Sequence, residues 1–232
     1  MIFDYNVVLE SLPLYLGGLL TTLKLLSLSL FFGLLLALPL GLMRVSKQPL
    51  VNSTAWCFTY VIRGTPLLVQ LFLIYYGLAQ FSVVRNSILW PWLSSATFCT
   101  CFAFAINTGA YTAEIIAGSL RATPNGEIEA AKAMGMSRRK MFRRILLPSA
   151  LRRALPQYSN EVIMMMQATS VASIVTLIDI TGAARTFNAQ YYLPFEAYIT
   201  AGAFYLCMTF LLVHLFKLAE RRWLSYLAPR GH

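Results

Sequence analysis

Five long apolar stretches, separated by clusters of charge, set the pattern of this chain. Residues 14–43 are apolar except for Lys24, long enough as a helix to cross roughly 30 Å of hydrocarbon. Residues 52–62 are too short to do so alone. Arg63, Gly64, Thr65 and Pro66 then break the pattern before a stretch, 64–84, that carries no charge. A second charge-free stretch runs from 88 to 113, and apolar stretches follow at about 155–178 and 197–216. The pattern predicts an all-α integral membrane protein with five transmembrane helices, at about 14–43, 62–82, 94–118, 155–178 and 197–217, in a single membrane domain over 1–232. Pro39 is expected to bend the inner end of the first span.

Charge then orients the predicted spans. Arg44, Lys47, Arg63, Arg121, Arg152, Arg153, Lys217, Arg221, Arg222 and Arg230 fall on one side together with the basic loop described below. The other side holds only Arg85 and Arg185, with Lys24 close enough for its long stem to reach the interface. The positive-inside rule therefore puts the amino terminus outside and the carboxyl terminus in the cytoplasm. Residues 1–13 carry Asp4 and Glu10 and no Lys or Arg, unlike a cleavable signal peptide. One outer loop is expected around Arg85, Asn86, Trp90, Pro91 and Trp92, its tryptophans anchoring at the interface. A second is expected around Asp179, Arg185 and Glu196.

Residues 120–153 form the one long polar stretch. Within it, Glu129, Ala130, Ala131, Lys132, Ala133, Met134 and Gly135 are followed, nine residues on, by Ile145, Leu146, Leu147 and Pro148. Arg138, Arg139, Lys140, Arg143 and Arg144 fill the gap. Alanine-rich composition predicts a helix over 127–134 that starts after Pro124 and stops at Gly135, with Ser137 capping a second short helix toward Pro148. Two short helices with small apolar faces, edged by charge, suit docking into a groove on another protein.

Two polar faces lie inside the spans. Asn107, Tyr111, Glu114 and Gly118 recur at helical spacing on the third, and Gln157, Asn160, Met164, Gln167 and Val171 on the fourth, with Glu161, Thr169 and Ser170 nearby. A carboxylate at membrane depth is costly facing lipid, so these faces look into protein or a wet cavity. They fit a passage. They fit equally well interhelical bonding by Asn107 and Asn160, with Glu114 or Glu161 paired to a base such as Arg63.

Composition narrows the function. Apolar residues make up 58% and charged residues 12%, against about 25% charged in soluble domains. The net charge of +10 would suggest nucleic acid in a soluble protein, but here the bases flank membrane-length runs and set orientation. His214 and His232 are far apart, and Cys57, Cys99, Cys101 and Cys207 include no CxxC, so metal and disulfide sites are not expected. With no Walker lysine motif the chain cannot hydrolyse ATP, and no cofactor of its own is expected.

The spacing of Glu129, Ala130, Ala131, Gly135, Ile145, Leu147 and Pro148 resembles the cytoplasmic loop by which membrane subunits of ATP-binding-cassette importers engage their ATPase. Residues 63–70 (RGTPLLVQ), 107–114 (NTGAYTAE), 128–131 and 158–162 (YSNEV) resemble polar-amino-acid permeases of that class. The carboxyl third, 191–224, is most similar to the histidine/lysine/arginine/ornithine branch. The resemblance covers nearly the whole chain and implies a type I importer. In it this permease pairs with a similar, different second permease, two copies of a cytoplasmic ATPase bind ATP and Mg beneath, and a periplasmic solute-binding protein delivers the amino acid across the bacterial inner membrane.

Many permeases of this family carry Lys where this chain has Gln167. Absence of that cation, with Glu114, Glu161 and Asp179 retained, favours a cationic solute, arginine or ornithine first and then histidine or lysine. The alternatives are a stand-alone channel or ion-coupled carrier, which would need no ATPase, and a membrane scaffold, in which the intramembrane acids could be replaced freely.

Overall fold

The structure, a computed structural model, describes residues 4–223. The expected cytoplasmic carboxyl terminus, with Leu224, Arg230 and His232, lies outside them. Every regular element among the described residues is helical. α1 (Tyr5–Glu10) is capped by Asp4, whose carboxylate accepts from Val7 N at 3.4 Å. After Ser11 the chain enters α2 (Leu12–Arg44).

α3 (Pro49–Gly64) starts with proline in its first turn, where a missing N–H costs nothing. It ends because Thr65 precedes Pro66 and is held extended, with ψ at 141°. The chain turns there by 100° into α4 (Leu67–Phe72), which runs on as one π turn and one 3₁₀ turn to Gln80. The second apolar stretch is therefore bent: the predicted span, 62–82, starts inside the last turn of α3 and crosses the Thr65–Pro66 break, so its first residues belong to a separate helix.

Two short helices, α5 (Ser82–Arg85) and α6 (Trp90–Leu93), bring the chain to α7 (Ala96–Arg121), capped by the Ser95 hydroxyl. α8 (Asn125–Ala133) and α9 (Arg138–Met141) form the polar hairpin. α9 does not end as a separate short helix. It passes through a π turn, 142–146, straight into α10 (Leu147–Ala168); the altered bonding of that turn falls just ahead of Pro148, whose ring cannot supply the N–H that an uninterrupted α-helix would use there. A 3₁₀ segment, 169–175, leads to α11 (Ile180–Tyr191) and α12 (Pro194–Trp223).

α7 is the central helix, packed against α2, α3, α4 and α10. The α2–α7 crossing is tight at Gly33 and Gly109: a Cβ on Gly33 would lie 2.5 Å from the Thr108 methyl and 3.2 Å from the Ala105 carbonyl. Small residues at such crossings let two backbones approach. Tyr15, Phe104, Phe187, Leu25 and Leu71 fill the main core. Tyr15 stacks on Phe204 at 5.7 Å and donates to the Ala197 carbonyl at 2.9 Å.

Among the described residues, α2 and α12 are long and apolar enough to cross a membrane, and up to four units qualify if each bent pair is one span. α7 does not qualify. Its buried Thr, Asn, Ser and Gly positions make it more polar than a lipid-facing helix.

The expected second outer loop needs correction. Asp179 and Glu196 are 0% and 3% exposed, and the segment between them is mostly α11, packed on α2 and α12. Asp179 is the helix cap, accepting from Gly182 N at 2.8 Å and from the Tyr205 hydroxyl at 3.0 Å.

Candidate functional site

The hairpin is a helix–turn–helix with its tip exposed. Gly135 adopts φ +68°, the left-handed conformation that ends a helix at little cost only in glycine. Gly135 N donates to the Lys132 carbonyl at 2.9 Å and Met136 N to the Ala131 carbonyl at 3.1 Å, closing the turn. Ser137 caps α9 by accepting from Lys140 N. Ala131 and Met141 pack inside, while Glu129, Ala130 and Gly135 face outward and Met134 is 81% exposed at the tip. A groove of about 410 Å³ between the arms gathers Ala130, Ala131, Met134, Ile145 and Pro148; Leu147 does not line it. Met134 belongs with the predicted coupling residues by position, and its only signal in the sequence is an apolar side chain just before the turn glycine.

The hairpin is tied to the helices above it. Arg153 donates to Thr123 Oγ1 at 2.8 Å and pairs with Glu127 at 3.4 Å, and Ser149 donates to Glu127 at 3.0 Å. Groups on α8, α10 and the α7–α8 connection are thus joined.

A second cavity, of about 320 Å³, lies between the α3–α4 break, α7 and α10. One wall is Arg63, Gly64, Thr65, Pro66 and Leu67; another is Asn107 and Tyr111; the third is Glu161, Met164, Met165 and Ala168. The break that shapes the first wall is stapled by Gln70, whose amide donates to the Ile62 carbonyl at 2.6 Å and to Thr65 Oγ1 at 2.7 Å, satisfying groups orphaned at the helix end. Gln70 Oε1 accepts from Asn107 Nδ2 at 3.1 Å. The Arg63 guanidinium sits 5.0 Å from the Tyr111 ring centroid, and the Tyr111 hydroxyl donates to the Arg63 carbonyl at 3.3 Å. Glu161 accepts from Thr108 Oγ1 at 2.9 Å. The cavity therefore presents a guanidinium and a carboxylate on different walls, with an amide and a phenol between them.

Of the predicted pathway residues, the cavity brings together Asn107, Tyr111 and Glu161. It does not include the others. Glu114 is ion-paired to Arg44 at 2.5 Å, not to Arg63. Asn160 and Gln167 are exposed on the outward stripe of α10 with Gln157 and Met164. Thr169 is fully buried and donates to the Met166 carbonyl, and the Ser170 carbonyl accepts from Ser173. Arg63 and its neighbours, not predicted as site residues, were marked in the sequence by the Gly-Thr-Pro break.

A helical scaffold with membrane-length elements, a polar cavity open on one side and an exposed charged hairpin fits the permease class of transporter subunit. The chain belongs to the family of binding-protein-dependent transport system inner membrane components, whose model matches residues 29–225. It is 46% identical over 223 residues to the nopaline transport system permease protein NocM of Agrobacterium fabrum, covering 96% of this chain and 92% of that one. It is 46% identical over 213 residues to the histidine/lysine/arginine/ornithine transport system permease protein HisM of Escherichia coli, covering 91% and 90%. A solved amino acid ABC transporter with histidines superposes with TM-score 0.86 at 37% identity, covering 96% of this chain and 100% of that one. The fold is that of a type I importer permease, and the family is the membrane component of the transporter, not its ATPase.

Proposed function

We propose that this chain is one permease subunit of an ATP-driven importer for basic amino acids, arginine and ornithine first and histidine and lysine next. The cavity carries the reading: a free amino acid offers a carboxylate to Arg63, an ammonium or cationic side chain to Glu161, and polar edges to Asn107 and Tyr111. Its polar lining opens at the surface of a single chain, beside the exposed polar stripe of α10. In a bilayer such a face needs protein against it, which supports pairing with a similar second permease across the passage. Asn160 and Gln167 would then face that partner or the moving solute.

In this arrangement a single domain spans the bacterial inner membrane five times, amino terminus outside and carboxyl terminus in the cytoplasm. α7 supplies the third span, shielded from lipid by the helices packed around it. Two ATPase copies, holding ATP and Mg, grip the hairpins, and a periplasmic binding protein delivers solute. Glu129, Ala130, Ala131, Met134 and Gly135 form the grip, with Ile145, Leu147 and Pro148 at its root.

The test is to purify the chain with the products of neighbouring genes, reconstitute the complex, and ask which amino acid stimulates ATP hydrolysis. Arginine or ornithine should stimulate most. Stimulation by neutral amino acids alone, or uptake without the ATPase, would refute the proposal, the second result favouring an ion-coupled carrier.

A further inference from the structure

The Arg44–Glu114 pair lies outside the cavity and is unused by the transport reading, yet it is among the most heavily bonded groups in the chain. Arg44, 8% exposed at the end of α2, reaches Glu114 of α7 through Nε at 2.5 Å and Nη2 at 3.3 Å. Its Nη1 donates to Asn52 of α3, and its carbonyl accepts from Arg121 Nη2 at 2.6 Å. Thr59 of α3 donates to Glu114 Oε1 at 2.7 Å. Both bonds to α3 therefore pass through one ion pair shared by α2 and α7.

Periodicity connects this cluster to the cavity. Arg63 is one turn beyond Thr59 on α3, and Tyr111 one turn before Glu114 on α7; these two meet by the cation–π contact and the Tyr111–Arg63 hydrogen bond. A turn further on, Asn107 holds Gln70, which staples the break after α3. Three layers thus fasten α3 to α7, and the ion pair is the one that joins charges of opposite sign. The facing wall, on α10, meets α7 through the Thr108–Glu161 bond and is continuous with the hairpin.

We propose that Arg44 and Glu114 are positioning residues for transport: they hold the α3 wall of the cavity to α2 and α7, so that hairpin-driven motion of α10 changes the cavity instead of dragging α3 along. This rests on the transport reading, and assigns Glu114 to anchoring in place of cargo contact. Removing one partner of this part-buried pair leaves the other charge poorly compensated, so α3 loosens.

The experiment uses the full complex in nanodiscs and proteoliposomes, comparing Glu114→Gln and Arg44→Lys with the unaltered protein. Amino acid taken up per ATP hydrolysed should fall between about two- and thirty-fold in Glu114→Gln, and less in Arg44→Lys, which keeps the charge. Amide hydrogen exchange should speed up over residues 49–64 while 147–168 stay protected. An unchanged uptake ratio, or exchange rising equally in α2, α7 and α10, overturns the proposal. Should Glu114→Gln not assemble, Thr59→Val keeps the ion pair and removes one link to α3; it should shift both readouts in the same direction, and no shift refutes the anchoring role. If the unaltered complex shows no cargo-dependent hydrolysis, the transport reading falls, and local exchange in 49–64 still decides whether the pair anchors α3.

Discussion

Gly33→Ala adds one methyl group to the tight α2–α7 crossing. The new Cβ would stand 2.5 Å from the Thr108 Cγ2, where carbon atoms rest at about 3.5–4 Å, so α2 and α7 must part by about 1 Å or Thr108 must turn. Turning moves the hydroxyl that donates to Glu161 at 2.9 Å. Overpacking of this kind costs about 1–3 kcal/mol. Thr108→Ser deletes the offending methyl and keeps the hydroxyl, a loss of about 0.8 kcal/mol by itself. In the double variant the remaining approaches, 3.2 Å to the Ala105 carbonyl and 3.3 Å to Gly109 N, need only a few tenths of an ångström of relief. Unfolding free energies from titration with a denaturing detergent in mixed micelles should therefore show Gly33→Ala/Thr108→Ser to be more stable than Gly33→Ala alone, with a coupling of about 1 kcal/mol. Simple additivity of the two changes would refute the account of this crossing.

Two further outcomes follow from the site. Gly135→Ala forces a Cβ into the left-handed region, costing about 1–2 kcal/mol, and Gly135→Pro forbids it outright because the ring fixes φ near −65°. Uptake should weaken in the first and vanish in the second while both proteins remain in the membrane fraction, and normal uptake by Gly135→Pro would contradict the coupling role. Gln167→Lys places a cation one turn beyond Met164 at the cavity; like charges about 4 Å apart in watery surroundings repel by about 1 kcal/mol, so arginine uptake should drop roughly five-fold relative to glutamine. An unchanged ratio in a competitive uptake assay removes the electrostatic argument for a basic cargo.

Local chemistry made the hairpin legible. Gly135 stops a helix and Ser137 starts one through atoms three or four residues away, and the structure has both. The helix ends at Arg63–Pro66 and the polar faces of α7 and α10 were readable for the same reason. What lay across the chain was not: Arg44 and Glu114 are 70 positions apart, and nothing periodic in the sequence pairs them. Arg44, read as an orienting charge, is buried. Charge marks Asp179 and Glu196 as loop residues in the sequence, yet tertiary packing buries both, and Asp179 serves as a cap for α11. The bend of 100° after α3 was also hidden, since Thr-Pro marks a break without fixing its angle.

From Arg138 at the hairpin to Met164 beside the cavity the backbone is one run of helix, with a π turn but no gap, roughly 40 Å long at about 1.5 Å per residue. Such a strut transmits in both directions. If a docked motor alters how tightly its far end holds solute, solute held there must alter how tightly the near end grips the motor by the same factor. Abundance of cargo would thereby be felt where nucleotide is bound, through the strut itself.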